Sequence, residues 1–208
     1  MALVRTFTLP HYETYPVHIA LFKDVTNAAF LRRQLLEANP DFDYAFLDAQ
    51  MILSSSHLLS ATFLALHAFL TSRQKTRTPH SELVFRLSPN NNIGESYRKF
   101  GLTDATSSLI AVKLSIKADG SIAEDVTNES VSKHLGDAVQ GASIELGEEG
   151  LELGASCNVD LIRKMYKLGG DAGKKGSKGP VVNGTGGEQD RIKDMESVIL
   201  GIIALKGS

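Results

Sequence analysis

The chain has no tryptophan, a single cysteine among 208 residues and no long apolar run. Each shortage excludes something. One thiol, Cys157, makes no internal disulfide and no cysteine-built zinc site, so a packed core must hold the chain together. The longest apolar stretch, around Leu58 to Leu70, is interrupted by Ser60, Thr62 and His67. It is too short for a bilayer, which takes about 20 predominantly apolar residues. Met1 to Pro10 lacks the basic start and apolar centre of a secretory leader. A protein of the nucleus and cytoplasm, away from membranes, is expected. A formal net charge of -2 argues against a surface coated in positive charge for nonspecific nucleic-acid binding, though a local basic patch stays open.

What is present suits one soluble domain over residues 1–208, with 42% hydrophobic and 22% charged residues. Val17 to Phe22 reads as a central strand. Thr26 or Asn27 can cap a helix through about Ala38, with Phe30, Leu31, Leu35 and Leu36 inward. Tyr44 to Leu47 is a short strand. One of Ser54, Ser55 or Ser56 caps a helix through about Arg73, with Leu59, Phe63, Leu66 and Leu70 facing the core. Leu83 to Leu87 reads as a buried strand. Ile93 to Phe100 reads as a helix, with Gly101 placed for a left-handed cap. Ser108 to Ile116 is the longest strand signal. About four strands interleaved with helices predict an α/β (α+β) fold, a mixed or antiparallel sheet packed with helices.

The last third is helical. Helices are expected over Glu129 to Gln140, from Asn158 to Leu168 and over Gln189 to Leu205, with an acidic loop at Glu145 to Glu152. Between the last two helices, Gly169 to Gly187 holds eight glycines and three lysines. Such a stretch buries too little to offset its ordering entropy, so disorder is expected over 169–188.

Signs of catalysis are weak. Gly184-Thr-Gly-Gly follows no strand and lacks the lysine of a phosphate-binding loop, so it reads as linker. The six histidines, at 11, 18, 57, 67, 80 and 134, show no metal-ligand spacing and read as caps or surface groups. Asp41, Asp43 and Asp48 read as turn caps beside a strand. No catalytic set, metal set or cofactor is expected. The Ser88 to Ile93 loop, running into a helix start, leaves a phosphate-binding enzyme open as an alternative. A stand-alone RNA-binding domain is another.

Two features exceed background. Three basic clusters, Arg73/Lys75/Arg77, Arg98/Lys99 and Arg163/Lys164/Lys167, would form a phosphate-binding strip if two of them converged. In the final helix, Val198, Ile199, Ile202, Ile203 and Leu205 spread over roughly twice the ~100° apolar stripe that a surface helix needs. Either the helix is buried between two layers of its own domain, or one side of it is a partner surface, and its place after a glycine-rich loop favours the second. Gly201 stands within that helix, at a cost of up to about 1 kcal/mol relative to Ala.

Several segments, in order, resemble one family. They are His18-Ile-Ala-Leu-Phe, Val25-Thr-Asn-Ala, Tyr44-Ala-Phe-Leu-Asp, the run from Arg77 to Leu102, Leu161-Ile-Arg-Lys-Met-Tyr-Lys-Leu and Leu205-Lys-Gly. Within the fourth, Glu82, Leu87-Ser-Pro, Asn92-Ile and Lys99-Phe-Gly-Leu carry the likeness. The family is the small kinase-binding subunit of the KEOPS (EKC) complex, the TPRKB type. The resemblance is loose over Lys117 to Cys157 and fails over Gly169 to Glu188. It implies a non-catalytic subunit that binds and stimulates a small atypical kinase or ATPase directly. The threonylcarbamoyl transferase subunit would be reached indirectly through the complex, which installs threonylcarbamoyl on an adenosine of tRNA. It also implies a part in recruiting tRNA, including its 3′ end, and a link to telomere upkeep. Carried onto this chain, Val198, Ile199, Ile202 and Ile203 are the expected kinase contact. Arg73, Lys75 and Arg77, then Arg163, Lys164 and Lys167, are the expected RNA contacts.

Overall fold

The structure, a computed structural model, describes residues 1–168 and 188–206. Five strands form one sheet: β1 (Val4–Phe7), β2 (Val17–Lys23), β3 (Ala45–Asp48), β4 (Leu109–Leu114) and β5 (Ala142–Ile144). Their order is β1-β2-β4-β3, with β5 also paired to β2, and every pair is antiparallel. Among the described residues seven α-helices pack on it: α1 (Ala28–Leu36), α2 (Ser55–Leu70), α3 (Pro79–Leu87), α4 (Ile93–Phe100), α5 (Asn128–Ala138), α6 (Val159–Met165) and α7 (Glu188–Leu205). The expected helix-on-sheet class holds. β1 and β5, at four and three residues, are too short for their periodicity to be read from sequence.

The sheet is covered on both faces. Ile19, Leu21, Ile110, Val112 and Leu114 point into one core, with Leu58 and Leu66 of α2, Leu83 and Leu87 of α3, and Met195, Ile199 and Ile203 of α7. Ala20, Phe22, Leu109 and Ala111 point into the other, with Ala28 and Leu31 of α1 and Val131 and Leu135 of α5. Helix starts are set by side-chain caps. Ser54 accepts the His57 N–H at 3.0 Å, Asn92 that of Glu95 at 3.0 Å, and Asn158 that of Leu161 at 3.1 Å. Each is worth about 1 kcal/mol.

Four expectations are corrected. Leu83 to Leu87 is helix, not strand. Thr78 caps α3 by accepting the Ser81 N–H, and Pro79 supplies the fixed φ of a first helical turn. Every residue from Glu82 to Leu87 is buried, so the helix shows no polar face and mimics a core strand. Gly101 is extended (φ -77°, ψ 172°) rather than left-handed; a Cβ there would stand 2.6 Å from the Tyr97 carbonyl oxygen. The face of α2 is rotated: Ala61, Ala65 and Ala68 are buried, letting the helix approach closely, while Leu59, Phe63 and Leu70 are half-buried. In α1, Phe30 and Leu36, expected inward, are 38% and 70% exposed, because only Ala28 and Leu31 lie fully in the core. The expected disorder over 169–188 lies outside the described residues except for Glu188, which opens α7.

Three histidines expected at caps or on the surface are instead core parts: His18, His57 and His80 are at most 3% exposed. His57 Nδ1 accepts the Leu53 N–H at 3.2 Å, so the ring proton sits on Nε2. Nε2–H then donates to the Tyr166 hydroxyl at 2.9 Å, and that hydroxyl donates to the Leu87 carbonyl. His80 Nε2 accepts the Leu114 N–H at 3.0 Å, leaving Nδ1–H facing Asp43 at 3.1 Å. Both rings are tied in as neutral imidazoles.

Burial holds His57 at about 4 instead of 6.5. Between those values the unfolded chain binds a proton that the folded chain refuses, so stability falls as pH drops through 6.5 toward 4. The loss at pH 4 is expected to reach about 3 kcal/mol from His57. Burial lowers His18 and His80 too, adding loss of the same sign. Urea unfolding of the wild type and of His57→Phe at pH 7 and pH 4.5 checks this. The variant, though less stable at pH 7, must lose less on acidification.

Candidate functional site

The first surface is a cleft of about 900 Å³. Its basic wall combines Arg98 and Lys99, in the last turn of α4, with Lys164 of α6 and Lys167 just beyond it. Lys167 takes a left-handed conformation (φ 54°), which ends that helix. The remaining wall is mixed. Asn90, Asn91 and Gln50 supply amides, while Met51, Leu161 and Met165 supply apolar surface. Tyr166 lines it too, held by His57 and the Leu87 carbonyl. Asp48 is the carboxylate of the lining. Its oxygens accept the Gln50 N–H at 3.0 Å and the Thr106 hydroxyl at 3.2 Å. Burial nevertheless raises its pKa above the usual value. Four exposed cations over amides and apolar side chains suit a ligand that carries phosphates and flat bases.

Of the expected RNA residues, the cleft gathers Lys164 and Lys167 and adds Arg98 and Lys99. Arg163 is exposed on α6 outside this lining. Arg73, Lys75 and Arg77 stand exposed between α2 and α3. Arg77 lines a separate hollow of about 420 Å³ with Asn39, Asp43 and Tyr97. The convergence therefore joins two of the three clusters. The loop once open as a phosphate site is largely occupied by itself. Ser88 Oγ accepts the Asn90 N–H, Asn90 Oδ1 that of Asn92, and Asn92 Oδ1 that of Glu95. Among the described residues no group of three His, Cys, Asp or Glu could hold a metal ion, and no helix is long and apolar enough to cross a membrane.

The second surface belongs to α7. Met195, Ile199 and Ile203 are its buried side, at 3%, 0% and 1% exposure. Ile199 and Ile203, two of the four expected contacts, thus pack inside the chain's own core. Val198 and Ile202 are half-buried, and Leu205 is exposed. Along the opposite flank runs an apolar groove of about 420 Å³, lined by Leu9, Leu59, Phe63, Leu64, Leu200 and Ala204 among others. Gly201 faces open space: a Cβ added there meets nothing within 4 Å. Its cost to the helix has no steric origin within the described residues.

Behind both surfaces lies an ionic network that the sequence did not reveal. Glu82, fully buried, pairs with the Arg86 Nε at 2.8 Å. Lys206, 8% exposed, closes the C-terminal end of α7 onto α3. Glu82 and Arg86 sit at i, i+4 spacing, which on its own reads as a surface pair.

The sequence was compared with known proteins. The profile of a family described as "Kinase binding protein CGI-121" matches residues 22–207. A protein of Phaeosphaeria nodorum named "EKC/KEOPS complex subunit CGI121" is 60% identical, covering 99% of this chain and 100% of that protein. A like-named protein of Aspergillus terreus is 45% identical over 99% of this chain and 97% of its own length. One of Schizosaccharomyces pombe is 33% identical over 77% and 86%. The chain belongs to the CGI-121 family of kinase binding proteins.

Proposed function

We propose that this chain is a non-catalytic subunit of the KEOPS/EKC complex that binds and stimulates the complex's small atypical kinase through α7, and helps recruit tRNA through the basic cleft. The threonylcarbamoyl transferase subunit is then reached through the complex, and the protein works in nucleus and cytoplasm. The observation that carries the kinase half is the apolar surface left on α7, in a chain of a kinase-binding family. Val198, Ile202 and the Leu200–Ala204 groove flank a helix whose inner side is already filled. An apolar helix seated against a partner lobe is a common recognition mode. Gly201, open on its outer side, allows close backbone approach there.

The contact separates into two classes of residue. Ile202→Arg is expected to leave folding intact and weaken the kinase complex at least about 100-fold, roughly 3 kcal/mol of binding. Ile199→Ala is expected to lower the chain's own stability by about 2–5 kcal/mol by opening a cavity under α7. Titration calorimetry with the purified kinase, beside denaturant unfolding of each variant, distinguishes them. Unchanged affinity in a folded Ile202→Arg protein would remove α7 as the contact.

For tRNA, the geometry puts Arg98, Lys99, Lys164 and Lys167 ahead of Arg73, Lys75 and Arg77, because the former share one cleft. Phosphate contacts release counterions, so each one lost flattens the dependence of log affinity on log salt by about 0.7 for a single strand. Replacing Lys99, Lys164 and Lys167 by Ala should therefore flatten that slope by about 2. Filter binding of a tRNA transcript across salt concentrations measures it. An unchanged slope would rule out the cleft, and loss of the slope on Ala replacement of Arg73, Lys75 and Arg77 would move the site to that loop.

A further inference from the structure

The ionic network joins the basic loop and α3, which are close in sequence, to the far end of α7. At one end, Glu82 Oε2 accepts the Lys75 N–H at 2.9 Å, and the Thr76 N–H and hydroxyl at 3.0 Å each. This one oxygen fastens the middle of the basic loop. In the centre, Glu82 Oε1 accepts Arg86 Nε at 2.8 Å. At the other end, Arg86 Nη1 donates to the Lys206 carbonyl at 2.5 Å. Lys206 Nζ in turn donates to the Phe85 carbonyl and, at 2.7 Å, to that of Ser88. It also lies 3.5 Å from the centroid of the Phe85 ring.

Such an arrangement is a poor way to gain stability alone. Burying charge costs several kcal/mol per ion, and apolar replacement of such groups is often neutral or stabilising. Here Arg86 alone pairs with the buried carboxylate, while the Lys206 ammonium is held by two carbonyls and a ring face. Burial, with the Arg86 cation beside it, pushes Lys206 down to about 7. What the network does supply is connection. Losing Arg86 takes the cation from Glu82 and the donor from the Lys206 carbonyl, and losing the Lys206 ammonium takes away the bonds to Phe85 and Ser88 that seat that carbonyl, so the parts support one another.

We propose that Glu82, Arg86 and Lys206 form a latch through which docking of the C-terminal end of α7 holds the Arg73–Arg77 loop in place. Its regulatory meaning rests on the proposed kinase contact on α7: whatever shifts the docking of that helix biases the loop, and by linkage the reverse. The cations of the loop would then be presented in a fixed array only while α7 is seated. The physical warrant is a continuous chain of buried, charge-assisted hydrogen bonds between two elements.

The test needs no partner, so its outcome is independent of the kinase and tRNA assignments. Amide exchange at Lys75 and Thr76 would be followed by NMR in the full chain, as wild type, Lys206→Met, Arg86→Met and the double variant. Lys206→Met is expected to speed exchange at these two amides roughly tenfold, with Ile110 and Val112 of β4 unchanged. The double variant should exchange no faster than Arg86→Met alone, because Arg86 carries the coupling. Unchanged exchange at Lys75 and Thr76 in Lys206→Met overturns the latch. So does a double variant in which the two effects multiply, or acceleration spread equally into β4.

Discussion

The antiparallel pair of β2 and β4 is the constraint to which the other elements answer. Six residue pairs are in register, from Val17 opposite Leu114 to Phe22 opposite Leu109, and of these twelve residues all but the half-buried Lys113 are buried. A pair that is apolar on both sides cannot leave either face to water. Alternate side chains therefore feed two cores, and each core must be roofed by helices. α1 and α5 roof one. α2, α3 and α7 roof the other, with α7 arriving last in the chain. α7 has to supply an inward stripe of Met195, Ile199 and Ile203, yet no later helix among the described residues covers its outer side. That order explains why one helix is both part of the core and a source of apolar surface.

Much of this frame was legible because it is local. Cap residues before periodic runs located α2 and α6, and the apolar runs of β2 and β4 are plain in the sequence. The misreading of α3 has a definite cause. Periodicity reports one-sided burial, and α3 is buried all round, with even Glu82 and Arg86 inside. Its better signal was the Thr78-Pro79 start with Glu82 in the first turn, a helix-start pattern that does not depend on burial. The rotated face of α2 has a related cause. Where a helix lies close against a neighbour, as α2 does against α3, small residues face inward, and Leu59 and Phe63 are left half-buried at the flank.

The candidate site was legible in parts but not as a set. Each basic cluster stands out by itself, whereas which clusters meet depends on where α4 and α6 are set by packing. Tyr166 joins α6 to the start of α2 through His57, and Gly101 lets the end of α4 run against Leu47 of β3. Those two attachments bring Lys164 and Lys167 to Arg98 and Lys99 across some sixty-five intervening residues. Neither attachment is written in a charge pattern. The histidine at its centre was discounted for lacking metal spacing, a test that says nothing about a buried ring with two hydrogen bonds.

The two surfaces differ in the solvent they need, and α2 has a part in both. The cleft keeps its cations exposed, so a ligand there gains mostly from phosphates and remains sensitive to salt. The α7 flank offers apolar area, which becomes favourable only when a partner removes it from water. A single patch could not serve both ends: charge among Leu59, Phe63 and Leu200 would oppose desolvation, and apolar bulk among the lysines would displace their water. α2 lines the groove and reaches the cleft through one hydrogen bond. Its first turn carries His57, which holds Tyr166 at the cleft, and Ser54, which bonds Glu196 of α7. Its middle supplies Leu59 and Phe63 to the groove. A shift of α2 along its axis would disturb both surfaces at once. The close packing of α2 on α3 is thus as much a condition for the proposed binding as the residues that would touch a partner.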